Sequence, residues 1–333
     1  MLALVMVAGC DDEVVGYAAA SGSTSTSAGP TSSNGTSTGG PDATATADGS
    51  ESSESSSTGS PFEDEPPDFI AFGREQGFVI SYDQGESWVE VPEPTGVAER
   101  EDAVRGEERI VVVGGAQSMV SLDGVQWTGA NVDGIGWARA VAYGSGGFAA
   151  VGLEHIAWST DGETWADARG GSTKIDFFDV TYGDGRFVAV GIGQIATSEN
   201  GENWAVNTVG GDKLYSVTYG NGRFVALGEN GRILETANGV DVLRDENSGL
   251  VGQGDIRFCE GEFVTGGPDV VWVSPDASDW TEIAMPNQGL FDCSASSYVV
   301  VKDEGLFHTP TPGPVSQVYG SSVVLDRVHF VGL

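Results

Sequence analysis

Hydrophobic and polar positions fall into three regimes along this chain. Met1 to Gly9 (MLALVMVAG) is one apolar run, and the stretch from about Ala18 to Pro61 holds almost nothing apolar. From Asp68 onward, short apolar runs recur between turns rich in Gly, Asp and Ser. Runs such as Phe69-Ile-Ala-Phe72, Phe187-Val-Ala-Val190 and Phe224-Val-Ala-Leu227 are apolar at successive positions instead of alternating. That pattern predicts strands covered on both faces, because a half-exposed strand shows period two.

The runs belong to a repeat. Ser81-Tyr-Asp83-Gln-Gly85-Glu-Ser-Trp88 recurs as Ser121-Leu-Asp123-Gly124-Val-Gln-Trp127, Ser159-Thr-Asp161-Gly162-Glu-Thr-Trp165 and Ser198-Glu-Asn200-Gly201-Glu-Asn-Trp204. A worn copy, Thr236-Ala-Asn238-Gly239, has Val242 in the Trp place, and Ser274-Pro-Asp276-Ala277-Ser-Asp-Trp280 follows. The anchors at 88, 127, 165, 204, 242 and 280 are spaced by 39, 38, 39, 38 and 38 residues. A second motif precedes several of them, as in Val180-Thr-Tyr182-Gly-Asp-Gly-Arg-Phe187 and Val217-Thr-Tyr219-Gly-Asn-Gly-Arg-Phe224. Its Gly-Asp-Gly or Gly-Asn-Gly centre suits the positive φ of a tight hairpin. Each unit therefore reads as strand A, hairpin, strand B, short loop, strand C, Ser-Asp-Gly-Trp hairpin, strand D. A period of this length is the mark of stacked repeats.

The Ser-x-Asp-x-Gly-x-x-Trp segments resemble the Asp-box, or BNR, repeats of sialidases and related propellers. Tyr219-Gly-Asn-Gly-Arg-Phe-Val-Ala-Leu-Gly228 is similar to the repeats of photosystem-II-assembly-factor-like propellers. The resemblance covers nearly everything from Asp68 to the C-terminus. It implies an all-β fold: a single seven-bladed β-propeller of four-stranded blades over 68–333. The units fall at approximately 68–94, 100–131, 137–170, 176–210, 213–247, 252–285 and 289–318. The first lacks its own strand A, and the run Val323 to Phe330 is expected to fill that place and close the ring. A shared fold transfers no site. Asp83, Asp123, Asp161, Asn200 and Asp276 are expected to accept turn N–H groups, while Trp88, Trp127, Trp165, Trp204 and Trp280 fill the gap beside each hairpin. Residues that recur in every unit are scaffold, whereas an active site is asymmetric.

Charge and the N-terminus set the address. The chain carries a net charge of -34, and residues 1–67 hold ten acids and no Lys or Arg. The remainder, with 39 acids and 15 bases, is still at -24. Such a surface repels phosphate backbones, so nucleic acid is not an expected partner. Val7-Ala8-Gly9-Cys10 resembles the lipobox that ends a bacterial lipoprotein signal peptide. The resemblance implies removal of residues 1–9, acylation of Cys10 and an extracytoplasmic protein held to a membrane through its N-terminal lipid alone. The basic stretch that should precede the apolar run is missing, which an upstream start would explain. Residues 10–67 read as a disordered Ser/Thr/Gly-rich acidic linker. Its 57 or so residues span roughly 40 Å on average and about 190 Å at full stretch.

Chemistry is sparse. Cys259 and Cys293 lie near the ends of strand A in adjacent units, where a disulfide and two separate buried thiols both fit. His155, His308 and His329 share no metal-ligand spacing, so neither metal nor cofactor is expected. The A–B and C–D hairpins share one face, leaving the B–C loops and D–A connections on the other. That second face is expected to present Arg74, Gln117, Trp137, His155, Lys174, Phe177, Gln194, Tyr215, Arg232 and Asp269. Variable polar and aromatic residues on a rigid ring suit recognition of an envelope protein or polysaccharide. The leading reading is a monomeric, non-catalytic binding scaffold. A sialidase-like hydrolase would need an arginine cluster, a Tyr nucleophile activated by Glu and an Asp acid; Arg74, Arg139 and Arg232 are the arginines available on that face. An assembly factor for a membrane complex is the third reading.

Overall fold

The computed structural model describes residues 66–332 except 74–76, 95–96, 98, 133–135, 169–175, 251–254, 268–269, 285–289, 303–304, 313–314 and 321–324. Cys10 and the linker lie outside the described residues. The first sheet contains β1 (Phe69–Phe72), β2 (Phe78–Ser81) and β3 (Val89–Glu90). The second contains β4 (Asp102–Arg105), β5 (Ile110–Gly114), β6 (Gln117–Ser121) and β7 (Thr128–Asn131). The third contains β8 (Trp137–Gly144), β9 (Gly147–Leu153), β10 (Ile156–Ser159) and β11 (Ala166–Asp167). The fourth has six strands: β12 (Phe177–Gly183), β13 (Arg186–Ser198), β14 (Ala205–Gly220), β15 (Arg223–Gly228), β16 (Arg232–Thr236) and β17 (Val242–Asn247). The fifth comprises β18 (Ile256–Cys259), β19 (Glu262–Gly267), β20 (Val270–Ser274) and β21 (Thr281–Ala284). The sixth comprises β22 (Leu290–Cys293), β23 (Tyr298–Lys302), β24 (Gly305–Thr309) and β25 (Ser316–Gly320). All described pairings are antiparallel, and the single 3-10 turn Glu229–Gly231 is the one helical element among the described residues.

The blade count corrects the expectation. The described strands form six sheets, not seven, so this is a six-bladed β-propeller rather than a seven-bladed one. The difference lies at 176–247, which the repeat divides into two four-stranded units. Here β13 runs unbroken through Gly193 (φ 63) and β14 through Gly210 and Gly211 (φ 66 and 72). Among the described residues, the corresponding connections at Gly115-Ala116, Glu154-His155 and Glu229–Gly231 end the strand. Pairing of Ile192 with Lys213 carries the ladder across the junction.

Burial follows the apolar pattern. Every residue of β1, β2 and β5 is buried, as are Phe187 to Val190 of β13. The ring closes where expected: β26 (Arg327–Phe330) pairs with β1, setting Phe69 opposite Phe330 and Phe72 opposite Arg327. The N–H groups of Val331 and Gly332 donate to the Asp68 carbonyl at 2.6 and 2.9 Å, fastening the end of the chain to the start of the ring.

The Ser-x-Asp hairpins lock each sheet to the one before it. Ser159 Oγ donates to Asp161 Oδ1 at 3.0 Å and accepts the Gly162 N–H at 2.7 Å. Asp161 Oδ1 accepts from Glu163 and Thr164 N–H, and the Trp165 indole donates to the Gly162 carbonyl at 2.9 Å. In a later copy, N–H groups of Ser278 and Asp279 hold the Asp276 carboxyl below the usual range. Gly201 shows why glycine recurs: it has φ 74, and a Cβ there would enter the Trp158 indole of the preceding sheet. Trp88 and Trp165 are buried, and Trp127, Trp204 and Trp280 are partly so. Indole burial of this kind carries much of the packing between neighbours.

Cys259 of β18 and Cys293 of β22 form a disulfide, with Cα atoms 6.1 Å apart. It joins two sheets that share no strand, across a separation of 34 residues. Closing a loop of that length in the unfolded chain is worth about 3–4 kcal/mol. Replacing both cysteines by serine is expected to lower unfolding free energy by about 2–4 kcal/mol. Urea melts of the oxidised, reduced and doubly substituted protein check this; identical midpoints for all three would show that the bridge adds nothing.

Candidate binding site at the bulged inner rim

The innermost strands touch in sequence around a ring: β26, β4, β8, β12, the second half of β14, β18, β22 and back to β26. Each of the six sheets has an edge strand there and the second half of β14 adds a seventh edge, so unpaired strand edges face one another and need partners. Side chains supply them. His329 Nδ1 lies 3.1 Å from Asp102 Oδ1, while Asp102 Oδ2 accepts the Val141 N–H at 2.8 Å. Asp179 Oδ2 accepts from Ser216 Oγ and from the Val217 N–H, both at 2.8 Å. Ser216 Oγ in turn accepts the Ile256 N–H at 3.2 Å. Arg257 lies 3.4 Å from Asp292 and 3.2 Å from Asp255, and Asp292 Oδ2 accepts the Phe330 N–H at 2.9 Å. Between β8 and β12 the described contact is of another kind. Position 140 holds alanine where β4 has Asp102, and the Arg139 guanidinium lies over the Phe178 ring, 4.8 Å from its centroid.

Arg139 reaches that ring from a β-bulge. Pairing of β8 with β9 skips one residue between Ala138 and Ala140, that of β12 with β13 skips between Phe177 and Asp179, and that of β14 with β15 skips between Leu214 and Ser216. The skipped residues are Arg139, Phe178 and Tyr215, at equivalent places on three successive inner strands. A bulge inserts an unpaired residue and re-aims its side chain. Here it builds an arc, with Phe178 and Tyr215 ring centroids 5.8 Å apart. All three side chains are half-buried, and Arg139 Nη1 is buried without a hydrogen-bond partner among the described residues. The arc therefore brings two aromatic rings beside one unused donor, which suits a ligand bringing a carbonyl or carboxylate oxygen.

The face residues read from the sequence fare unequally. Tyr215 joins the arc. Phe177 is buried at 2% exposure, so its neighbour Phe178 is the residue presented. Arg232 is a clamp: it meets Asp245 through two bonds of 2.8 Å and donates to the carbonyls of Val209, Gly210 and Asp212. The bond to Asp245 raises its pKa further above the ordinary arginine value. It holds the continuous turn of β14 and does not converge with Arg139. His155 sits between β9 and β10, with Nδ1 3.9 Å from Asp167. Gln117 and Trp137 begin β6 and β8, and Gln194 lies inside β13; all three are half-buried. Arg74, Lys174 and Asp269 lie outside the described residues. No cluster of three or more metal-ligating side chains occurs among the described residues. The sequence places Arg139 on this face, as an arginine available to a hydrolase, but the periodic pattern does not disclose Phe178, because a one-residue bulge leaves repeat spacing almost unchanged.

No protein-family model matches the chain, and no curated protein matches it. Solved structures do. "YCF48 bound to D1 peptide" superposes with a TM-score of 0.53 at 14% identity, over 77% of this chain and 85% of that one. YCF48 from Cyanidioschyzon merolae gives 0.54 at 14% identity, over 69% and 88%. PorZ, a bacterial surface component of the type-IX secretion system of Porphyromonas gingivalis, gives 0.52 at 9% identity, over 76% of this chain but 38% of its own. At these identities the likeness establishes the fold. The chain is a β-propeller.

The ring is electrostatically tight at Asp179. Loss of water inside the ring pushes its carboxyl from the ordinary 3.8 up to about 7; Arg257 opposes that shift, and Asp102 and Asp255 add to it. The folded state thus keeps a proton that the unfolded chain releases near pH 4. Its contribution to stability is complete below pH 4 and is lost as pH rises toward 7. We expect Asp179→Asn to flatten the stability-against-pH curve between pH 4 and 7. Chemical melts across that range check it; parallel curves for the two proteins would place the titration elsewhere.

Proposed function

We propose that this chain is a non-catalytic interaction scaffold, carried outside the cytoplasm on a lipidated Cys10, which takes an extended protein segment at its bulged inner rim. The arc of Arg139, Phe178 and Tyr215 carries the reading. It is asymmetric within a repeated fold, and a bulge re-aims each of its members. Aromatic and arginine side chains in a partly desolvated setting are the usual anchors of protein recognition. A neighbour of the same fold, YCF48, is known bound to a D1 peptide, which supports a peptide over other ligands. The disulfide supports an oxidising compartment, since cytosolic thiols are kept reduced. The long polar linker would let a tethered propeller clear a crowded membrane surface.

Two experiments test this. Full-length protein is screened against arrays of twelve-residue peptides and of polysaccharides, beside the variants Arg139→Ala and Tyr215→Ala. Peptide binding that weakens about tenfold or more in both variants is expected from the loss of a charged hydrogen bond or an aromatic anchor. Binding of polysaccharides alone, or peptide binding indifferent to both variants, overturns the reading. For the anchor, Cys10→Ser is expected to move the protein from the detergent phase to the aqueous phase of a cloud-point separation. Equal partitioning of the two forms would remove the lipid from the proposal.

A further inference from the structure

We infer that the segment taken at the rim is basic: an extended peptide whose Lys or Arg side chain meets Asp326 while its backbone carbonyl meets Arg139. The inference rests on the interaction reading above and adds the chemistry of the partner.

Several polar atoms toward this end of the ring are buried and unpartnered among the described residues, Gln194 Oε1 and Arg100 Nε included; at the rim position that precedes the inner-strand pairing they are the donor Arg139 Nη1 and the acceptor Asp326 Oδ1. Both stand at the same height. Arg139 immediately precedes Ala140, which pairs with Val151, and Asp326 immediately precedes Arg327, which pairs with Phe72. Val151 and Phe72 each end an apolar run just before a glycine, Gly152 and Gly73, so the two pairs are counterparts in the repeat. The main chain of Asp326 is secured by its N–H bond to the Phe72 carbonyl at 3.1 Å. Glu101, at the corresponding place ahead of β4, is already held by Arg327 at 3.0 Å. Among the described residues, Asp326 is the one carboxylate with a buried oxygen left unpartnered.

An orphan donor and an orphan acceptor on one rim suit a ligand carrying both kinds of group. A peptide backbone offers an acceptor at every residue, and an ammonium or guanidinium group offers only donors. Charge selects the side chain. The chain from Asp68 onward carries -24, and the ring behind the rim places Asp102, Asp179, Asp255 and Asp292 around Arg257 and His329. An acidic segment would approach against that field, and a basic one is drawn along it. Phe178 and Tyr215, beyond Arg139 from Asp326 in the order of inner strands, give apolar residues of the same segment a wall.

The test uses full-length protein and three fluorescein-labelled twelve-residue peptides of matched aromatic content: Lys/Arg-rich, Glu/Asp-rich and uncharged. Fluorescence polarisation is read at low and at physiological salt. The basic peptide is expected to bind best and to weaken with salt, since its pairing with Asp326 is ionic. Asp326→Asn and Arg139→Lys should each cost it about tenfold in affinity, whereas Glu202→Gln, on an exposed hairpin, should leave it unchanged. Preference for the acidic or the uncharged peptide, with dependence on Arg139 retained, overturns the inference but keeps the interaction reading. Basic-peptide binding that ignores both rim substitutions also overturns it, by showing diffuse attraction to the acidic surface. No binding by any of the three, together with the array failure described above, sinks both.

Discussion

Burial of one strand on both faces is the constraint from which the rest of this fold follows. Phe69 to Phe72, Ile110 to Val113 and Phe187 to Val190 are essentially inaccessible, which requires a neighbouring sheet on either side of each. A row of sheets meets that demand only by closing on itself, because the two ends of an open row would leave apolar faces in water. Closure here depends on β26, four residues delivered by the far end of the chain. Stability should therefore be shared by the whole ring. The disulfide between β18 and β22 and the bonds from Val331 and Gly332 to Asp68 lie near the join, where chain ends would otherwise fray.

Closing a ring of sheets creates a second demand at its centre. Inner strand edges converge with N–H groups that no strand can pair, and a buried donor without a partner costs more than an ordinary hydrogen bond returns. Asp102, Asp179, Ser216 and Asp292 answer it by reaching across to the next inner strand. Four such side chains would be all carboxylate but for Ser216, and carboxylates gathered in a drying space repel one another. Arg257 among them offsets that repulsion, and His329 Nδ1 lies 3.1 Å from Asp102. Burial raises the pKa of Asp179, with Asp102 and Asp255 adding to the shift and Arg257 opposing it. The polar centre is thus a consequence of the closed fold, and its charge need not imply catalysis.

How much of this was legible beforehand depends on scale. Strand type, repeat length, hairpin chemistry and ring closure could be read because each rests on local pattern: successive apolar positions, Gly at positive φ, the spacing of Trp. The number of sheets could not. Whether a connection ends a strand or lets it continue is decided by a few turn residues, and Gly193, Gly210 and Gly211 allowed continuation where the strands at Gly115 and Glu154 stop. Site residues failed for a related reason. Position in the repeat pointed to Phe177, but the bulge rotates the frame by one residue and presents Phe178. Arg232 looked like a recognition arginine until five hydrogen bonds placed it as a clamp on the turn of β14. An arginine's role depends on which acceptors the fold brings near it, and sequence does not show them.

Wear in the repeat shows how strongly the join between sheets is held. Glu235 occupies the place that Trp158 holds in an earlier unit, facing the following hairpin, yet it is only 4% exposed. A lone carboxylate there would be costly, and it is not alone. Arg223 lies 3.2 Å away, and Arg244 meets both Glu235 and the Ala277 carbonyl of the next hairpin. The same hairpin has exchanged its glycine for Ala277, which keeps the left-handed φ of 60 and is fully buried. A Cβ at the equivalent Gly201 would collide with Trp158. Losing the indole and gaining the methyl are therefore one change seen from two sheets. An ion pair replaces apolar packing, at little net gain in stability, but it preserves the contact that the ring requires. Where the fold cannot give up a join, the repeat tolerates new chemistry; where it can, as at Ala140 between β8 and β12, the carboxylate is dropped and a bulged arginine takes the seam.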